Sequence, residues 1–564
     1  MSQEASFKRS EALQALRTRH FDLVVIGGGI TGAGVALDAA ARGLRTALID
    51  GGDFASGTSS KSSKLVHGGL RYLQQGDVAL VYQALHERRR LLANAPHLVD
   101  IQPFLLPLFA KDGLIPKKLS RTLGAAMWAY DATGGWRIGK FHQRIDTAEA
   151  IAHMPTLPAD KIGGAYIYYD AAADDARLVL TVIRTAALDY GAVAANRVRA
   201  LGLRKTAGRI IDGVEVEADG ERFTIDADTV INAGGVFADD VRALDEAAHP
   251  RSITPAKGIH LTVPWDRVRN DIGVILPVKG DRRSVFVVPW GDHTYVGTTD
   301  TNYDGPIDDP QCTPEDVAYL LGALNAWTGA GLTHADVTGT WAGLRPLVTN
   351  GGSGRTADLS RQHSVLTSPS GMVTVTGGKL TTYRQMAADA VDEVVGSLLG
   401  ADLPDVAKRS PTARLALRGA DGWDRIADAA VAAGLDRATG DHLARRYGGE
   451  ATALMADIAE HPELAEPMVE GLPYLRAEAR HAARAEMATT LVDVLSRRTR
   501  ALLLDRNATR RAAPAVAADV APLLGWDEAE IARQVAAFEA VVDAELAAET
   551  DQALPPGVPA GTRA

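Results

Sequence analysis

A single cysteine, Cys312, stands among 564 residues. That excludes a disulfide framework and leaves no set of thiolates for an iron–sulfur cluster or a zinc site. The histidines are scattered, with no metal-spaced pair beside a carboxylate cluster, so no resident metal is expected. No apolar run is long enough to span a bilayer, and the first twenty residues lack the apolar core of a secretory signal. A cytoplasmic compartment is therefore expected. Internal repeats are absent, and a net charge of −10 argues against a general nucleic-acid binder. What remains is an ordinary globular composition, 46% hydrophobic and 23% charged, over a length that suits about two to four domains.

The stretch from Phe21 to Asp50 organises the chain. Leu23 to Ile26 is an apolar, branched run that suits a buried parallel strand. Gly27, Gly29 and Gly32 follow in the spacing Gly-x-Gly-x-x-Gly, and Val35 to Arg42 is Ala-rich and helix-forming, ended by Gly43. Such glycines make a tight turn, let the backbone approach a pyrophosphate and bring helix and strand together. The helix N-terminal amides would then face the phosphates. Thr46 to Ile49 forms the second strand, and Asp50 at its end is placed to bond ribose hydroxyls. The spacing predicts dinucleotide binding without choosing the dinucleotide.

Gly51 to Ser63 is rich in Gly, Ser and Thr and leads into Lys64-Leu65-Val66-His67-Gly68-Gly69-Leu70-Arg71-Tyr72. Its hydroxyls and amides can wrap a phosphate or a flavin edge, although a solvated loop has the same composition. Val78 to Leu92 predicts a helix with Arg88, Arg89 and Arg90 on a solvated basic face. Lys117 to Tyr130 places Leu119, Leu123 and Met127 on one helical face beside Lys117, Lys118 and Arg121. That pattern suits either a membrane-interface helix or one packed on a core. Arg197 to Leu203, Ile210 to Glu217 and Arg222 to Ile225 predict a β-meander. Asp228 to Asn232 predicts a second glycine-ended strand, closing at Ala233-Gly234-Gly235. A sheet assembled from such distant pieces suits an FAD domain better than the regular βαβ repeats of an NAD domain. Ile259 to Val263, Val274 to Leu276, Ser284 to Val288 and Thr294 to Thr298 suggest an antiparallel sheet covering a substrate. Gly377-Gly378-Lys379-Leu380-Thr381 begins another amide-rich helix N-terminus, suited to a flavin carbonyl or an anion. Past a proline-bearing linker at 401–412 strand signals vanish. Met487, Leu491, Val494 and Leu495 mark one helix face, and Ile531, Val535, Phe538, Val542 and Leu546 mark another, opened by Asp527 and Glu530 as a capping box.

Taken together, the Gly27–Gly34 turn and Ser62-Ser63-Lys64-Leu65-Val66-His67-Gly68-Gly69-Leu70-Arg71-Tyr72 resemble the FAD-dependent, quinone-linked glycerol-3-phosphate dehydrogenases. Further matches are Asp174-Asp175-Ala176-Arg177-Leu178, Lys257-Gly258-Ile259-His260, Gly297-Thr298-Thr299-Asp300, Gly343-Leu344-Arg345-Pro346-Leu347 and Gly377-Gly378-Lys379-Leu380-Thr381-Thr382-Tyr383. Glu486-Met487-Ala488 and Asp493-Val494-Leu495-Ser496-Arg497-Arg498-Thr499 extend the resemblance into the tail. Two departures stand out. Asp50 replaces the family's usual Glu, and Asn232-Ala233-Gly234-Gly235-Val236-Phe237 replaces its Asn-Ala-Thr/Ala-Gly-Pro-Trp. The insertion that marks the related α-glycerophosphate oxidases is missing, which favours a dehydrogenase over an oxygen-using oxidase.

The resemblance implies a mixed α/β fold of the DAO superfamily type, with a Rossmann-like FAD domain, an antiparallel-sheet substrate domain and an all-helical C-terminal domain. The expected limits are an arm at 1–20, either frayed or a short helix, and an FAD domain within 21–400 in segments of about 21–75, 160–245 and 350–400. A substrate domain is expected at about 76–159 and 246–349, helices at 413–548 and a disordered tail at 549–564. It further implies FAD held by Gly27, Gly29, Ile30, Gly32, Asp50, Ser62, Ser63, Lys64, Leu65, His67, Gly68, Val198, Ala233, Gly234, Gly378, Lys379, Leu380 and Thr381. The implied reaction oxidises sn-glycerol 3-phosphate to dihydroxyacetone phosphate and passes electrons to a membrane quinone. Arg71, Tyr72 and Arg345 would grip the phosphate, His260 would act as base, and Lys379 would stabilise charge on the flavin. A peripheral contact with the inner face of an anionic cell membrane is expected, and a homodimer is compatible with the sequence. An amino-acid or amine oxidase of the same superfamily is the alternative, disfavoured by two arginines suited to a phosphate dianion.

Overall fold

The computed structural model describes residues 7–69, 77–109, 120–246, 249, 251–279, 283–348, 362–398 and 408–550. Short aliphatic runs build a six-stranded sheet in the order Ser364–Thr367, Val373–Thr376, Val230–Asn232, Leu23–Ile26, Thr46–Ile49, Val193–Ala195. All neighbours are parallel except the Ser364–Thr367 edge. The five parallel strands are buried along their whole length, as a parallel sheet covered on both faces requires. Val24 faces Ala47 on one side and Val230 on the other, so the distant Val230–Asn232 strand lies directly beside the first. The helices Ile30–Ala41, Asp175–Tyr190 and Tyr383–Glu393 pack with this sheet. The meander Arg199–Lys205, Ile211–Ala218, Glu221–Ala227 stands apart as a small antiparallel sheet.

The second, larger sheet runs Thr301–Asn302, Ile253–Pro264, His293–Gly297, Ser284–Trp290, Gly273–Pro277, Val99–Phe109, Ile162–Ala173, Leu65–Val66. Gly339–Val348 pairs along Ile253–Pro264. The sheet is antiparallel except where Gly273–Pro277 meets Val99–Phe109. Two segments expected in the nucleotide domain belong here: Leu65–Val66, and Ile162–Ala173 after position 160. The physical reason is strand length. The 12-residue Ile162–Ala173 finds a ladder partner of matching length in the 11-residue Val99–Phe109, with Phe104 opposite Tyr168. The nucleotide sheet resumes only at Val193.

Several side chains sit differently from expectation. Arg88 is buried, donating to Tyr169 O at 2.7 Å and Asp170 Oδ1 at 2.5 Å, so only part of the expected basic face is solvated. In the helix Ser120–Thr133, Met127 is fully buried while Trp128 is 62% exposed. The face expected to carry Met127 to a membrane therefore points inward at that residue. Lys117, Lys118 and Leu119 lie outside the described residues, as do the side chains of Arg121 and Leu123. Within the N-terminal arm, Arg9–Thr18 forms the short helix that its composition allows, with Leu13 and Leu16 buried. Met487 has φ +53° and lies outside any helix. Leu491, Val494, Leu495, Phe538 and Val542 share one core in the C-terminal helices. The last helix runs through Glu549 to Thr550, past the expected limit at 548, because the Glu549 carboxylate is buried against Arg506 at 2.8 Å.

Candidate active site

The end of the parallel sheet is built by glycines that nothing larger can replace. Gly27 has φ +114°, and a Cβ there would lie 2.6 Å from Ala233 O. A Cβ on Gly32 would lie 1.8 Å from Gly27 O, so the helix packs on the turn only without one. Gly29 is less crowded: a Cβ there would lie 3.0 Å from Ser59 Oγ, a tight contact that the serine side chain must yield to, and the added group would sit at the helix N-terminus. Ile30 N donates to Ser59 Oγ at 2.9 Å. The Asp50 carboxylate accepts from Gly28 N at 2.6 Å and Gly52 N at 2.7 Å, and Val198 N donates to Asp50 O at 2.7 Å. Burial raises the Asp50 pKa to about 6, against the lowering effect of those two amides. Ala233 N donates to Ile26 O at 2.8 Å and Gly234 N to Asn232 Oδ1 at 3.0 Å, which closes the opposite wall. A cradle without side chains, helix amides and a terminal carboxylate fit a dinucleotide such as FAD.

The loop after Ser59 carries the next group. Ser62 donates from both N and Oγ to Asp175 Oδ2, at 2.9 and 2.7 Å, and Lys64 Nζ lies 3.1 Å from Asp175 Oδ1. Lys64 adopts φ +58°, and burial lowers its pKa to about 8. Leu65 is buried in its strand. Gly68 N donates to Asp170 Oδ1 and to Tyr130 Oη, both at 3.2 Å. His67 N donates to Thr381 Oγ1 at 3.0 Å, and Thr381 Oγ1 returns a bond to His67 O at 3.3 Å. The Ser62–Gly68 and Gly378–Thr381 segments, 310 residues apart or more, are thus brought together. Gly378 has φ +77°, and a Cβ on it would meet Met386 Sδ at 2.3 Å. Lys379 caps the Leu380–Thr382 turn that leads into Tyr383–Glu393.

His260 and Arg345 come from adjacent strands of the larger sheet. His260 stands between Gly297 and Trp341 in register. Its ring stacks on the Trp341 indole at 4.8 Å and 9°, and a Cβ on Gly297 would fall 2.0 Å from its Cδ2. His260 Nε2 is 2.8 Å from Ser63 Oγ, while the buried Nδ1 has no hydrogen-bond partner among the described residues. Burial first, then the Lys64 and Arg345 cations, hold its pKa well below the ordinary histidine value. The imidazole is neutral and able to accept a proton. Arg345 is fixed by Asp300 Oδ1 at 3.2 Å, Thr298 Oγ1 at 3.1 Å and Thr299 O at 3.2 Å. The Asp300 carboxylate partly offsets the Arg345 charge and holds the guanidinium in place. Arg71 and Tyr72 lie outside the described residues.

Sequence reasoning missed Ser59, Asp175, Asp300 and Trp341 as parts of the site. Asp175, Asp300 and Trp341 belong to or adjoin stretches singled out by the resemblance, but nothing in their local pattern says what they touch. The signal for Asp175 was its neighbour: Asp174 caps the helix, accepting from Arg177 N at 3.3 Å, which releases Asp175 for the loop.

Residues 22–384 match the family described as FAD dependent oxidoreductase, and residues 410–531 match the C-terminal domain of alpha-glycerophosphate oxidase. A Mycobacterium bovis protein named glycerol-3-phosphate dehydrogenase 2 is 40% identical over 545 residues, 96% of this chain and 91% of that one. The Homo sapiens mitochondrial glycerol-3-phosphate dehydrogenase is 36% identical over 550 residues, 94% of this chain and 74% of that one. The solved structure of the glycerol-3-phosphate dehydrogenase from Bacillus halodurans, complexed with FAD, superposes with a TM-score of 0.78 at 31% identity, covering 98% of this chain and 99% of that one.

Proposed function

Because the chain belongs to the FAD-dependent oxidoreductase family, among its glycerol-3-phosphate dehydrogenases, we propose that it oxidises the C2 hydroxyl of sn-glycerol 3-phosphate to give dihydroxyacetone phosphate. The cofactor is FAD, which when bound supplies the hydride acceptor. The chain's own residues bind and orient. Amides at Gly29 to Gly32 meet the pyrophosphate, Asp50 accepts from ribose hydroxyls, and Val198, Ala233 and Gly234 line the walls. Ser62 to Gly68 and Gly378 to Thr381 would hold the ring, and Lys379 would supply positive charge to stabilise the reduced flavin.

The observation that carries the reading is His260: a buried neutral imidazole whose Nδ1 has no partner among the described residues, in the same strand pair as Arg345. His260 Nδ1 takes the proton of the C2 hydroxyl. Arg345, with Arg71 and Tyr72, grips the phosphate, two guanidinium groups matching the charge of a dianion. Turnover of glycerol 3-phosphate against glycine and sarcosine, with a soluble dye as acceptor, tests the assignment. Turnover of the amines alone would transfer it to an amine oxidase.

Electrons pass on to a membrane quinone, in glycerol breakdown feeding a respiratory chain. The contact we propose is peripheral, on the inner face of the cell membrane; among the described residues no helix is long and apolar enough to cross a membrane. A cluster of exposed side chains supports that contact: Tyr82, Trp128, Trp136 and Phe141, with the Arg137 guanidinium over the Tyr82 and Trp136 rings at 5.2 and 4.8 Å. From Asp77 to Ile145 the sequence holds ten Lys and Arg against five Asp and Glu, in a chain of net charge −10. Aromatics beside excess cations suit an anionic interface. The match of residues 410–531 to a domain named for an oxidase makes oxygen the alternative acceptor, which oxygen uptake measured beside quinone reduction separates.

A further inference from the structure

The segment Ser496–Arg500 of the C-terminal helices sends its arginines out of its own domain. Arg498 donates to both oxygens of Asp53, at 2.7 and 2.8 Å, and Arg497 Nε donates to Asp53 Oδ2 at 2.6 Å. Arg500 lies 3.0 Å from Asp175 Oδ1 and also donates to Ser60 O. Side-chain exposure is 1% for Arg500, 2% for Arg498, and 0% and 1% for Asp175 and Asp53, so these are dry contacts. Both acids adjoin segments assigned to FAD. Asp53 follows Asp50 and Gly52. Asp175 holds Ser62 and Lys64, and also accepts from Ala176 N at 3.0 Å.

We propose that the C-terminal helical domain is part of the cofactor site, with Arg500 and Asp175 as positioning residues that set the Ser60–Lys64 loop against FAD and against His260. The proposal rests on the FAD site described above. The line of contact is continuous. Arg500 and Lys64 share Asp175 Oδ1, Ser62 binds Asp175 Oδ2 twice, and Ser63, held between Ser62 and Lys64, reaches His260 Nε2 at 2.8 Å. Tyr295 Oη and Trp341 Nε1 fix the loop from the other side, donating to Ser63 O at 2.9 Å and Ser62 O at 3.2 Å. Removing Arg500 takes one of two cations from Asp175 Oδ1 in a dry site and the Arg500 donor from Ser60 O, so both ends of the Ser60–Lys64 loop lose a charge-assisted contact and the loop shifts. Docking of the domain as a whole does not depend on this contact. Arg177 bonds Glu486 at 3.1 Å, Arg184 bonds Glu450 at 2.7 Å, and Arg446 bonds Asp174 at 2.9 Å.

The test uses full-length protein stripped of FAD and titrated with it. Arg500→Met is expected to raise the FAD dissociation constant by about tenfold or more and to change the visible circular dichroism of bound flavin. The control is Arg476→Met, which breaks pairs with Asp519 and Glu466 inside the C-terminal domain and is expected to change neither readout. A wild-type dissociation constant and flavin spectrum in Arg500→Met would overturn the proposal. Should that variant not fold, Arg500→Lys takes its place. It keeps the charge, and a rise of roughly threefold is expected; wild-type values there overturn the proposal equally. A wild-type protein that binds no FAD would instead refute the cofactor reading, which separates the two failures.

Discussion

Ser63 Oγ lies 2.8 Å from His260 Nε2, so one hydrogen bond joins the cofactor loop to the strand carrying the proposed base. The bond also selects a tautomer. If the serine accepts from Nε2–H, Nδ1 carries a lone pair and can take a proton; if it donates, Nδ1 is already protonated. Catalysis as proposed requires the first arrangement. Ser63→Ala should therefore slow flavin reduction by about tenfold in anaerobic stopped flow while KM changes little. An unchanged rate would mean that the tautomer is fixed by something else.

Replacing His260 by Ala should lower the rate of flavin reduction by about a hundredfold or more. The pH dependence has a definite sign. Burial and two cations hold the His260 pKa below its ordinary value of about 6.5, and the neutral form is the working one. The acid limb of the reduction rate should then lie below about 6.5. Stability moves the same way. Below that pH the unfolded chain binds a proton that the folded chain refuses, so this site lowers stability as pH falls. An acid limb at or above the ordinary histidine value would remove His260 from the role.

Arg345→Ala should lower kcat/KM by about a hundredfold, chiefly through KM, since a charge-assisted contact is worth roughly 1.5–3 kcal/mol. Arg345→Lys should recover little, because a lysine cannot present a planar fork while it also bonds Asp300 and Thr298. Arg71→Ala should resemble Arg345→Ala. Near-normal kinetics in both alanine variants, with FAD retained, would dismiss the phosphate clamp.

The nucleotide-binding turn was legible because its signal is local: strand, glycines, helix and acid lie within thirty residues and depend on one another. The strand at Val230–Asn232 was legible for the same reason, from its own apolar run and glycine end. Arg88 was misjudged because three consecutive arginines look solvated, and only the fold shows Asp170 waiting for one of them. Met127 shows the limit of an amphipathic pattern, since an apolar stripe looks alike whether it faces lipid or a core. Asp175 and Arg500, 325 residues apart, carry no sequence signal of their meeting at all.

Gly29 and Gly32 should separate under mutation. Gly32→Val forces a side chain onto Gly27 O and should cost both fold and flavin. Gly29→Val meets only the Ser59 side chain, at 3.0 Å from the new Cβ, rather than backbone, so the variant should lose less stability than Gly32→Val yet bind no FAD. Equal flavin content in wild type and Gly29→Val, by absorbance of the purified proteins, would contradict the pyrophosphate assignment.

FAD affinity should weaken as pH falls through about 6, because burial raises Asp50 to about that value and ribose hydroxyls donate to the ionised form. The folded apoprotein then takes up a proton that FAD binding must expel. Titrations across that range should show the slope in wild type and lose it in Asp50→Asn. Affinity indifferent to pH in the wild type would dismiss the contact.

Membrane attachment should depend on the exposed aromatic cluster. Trp128→Ser/Trp136→Ser/Phe141→Ser should lose co-sedimentation with anionic vesicles and keep dye-linked turnover, and wild-type binding should weaken with salt. The companion variant Lys117→Glu/Lys118→Glu/Arg121→Glu tests the neighbouring cations. Equal sedimentation of all three proteins would take this face out of consideration.

The central claim is that glycerol 3-phosphate reduces the bound flavin. The direct measurement is the absorbance of purified holoprotein, without oxygen, before and after the substrate is added. Loss of the long-wavelength flavin band and one dihydroxyacetone phosphate formed per FAD are expected. A band unmoved by glycerol 3-phosphate in protein that dithionite still bleaches would contradict it.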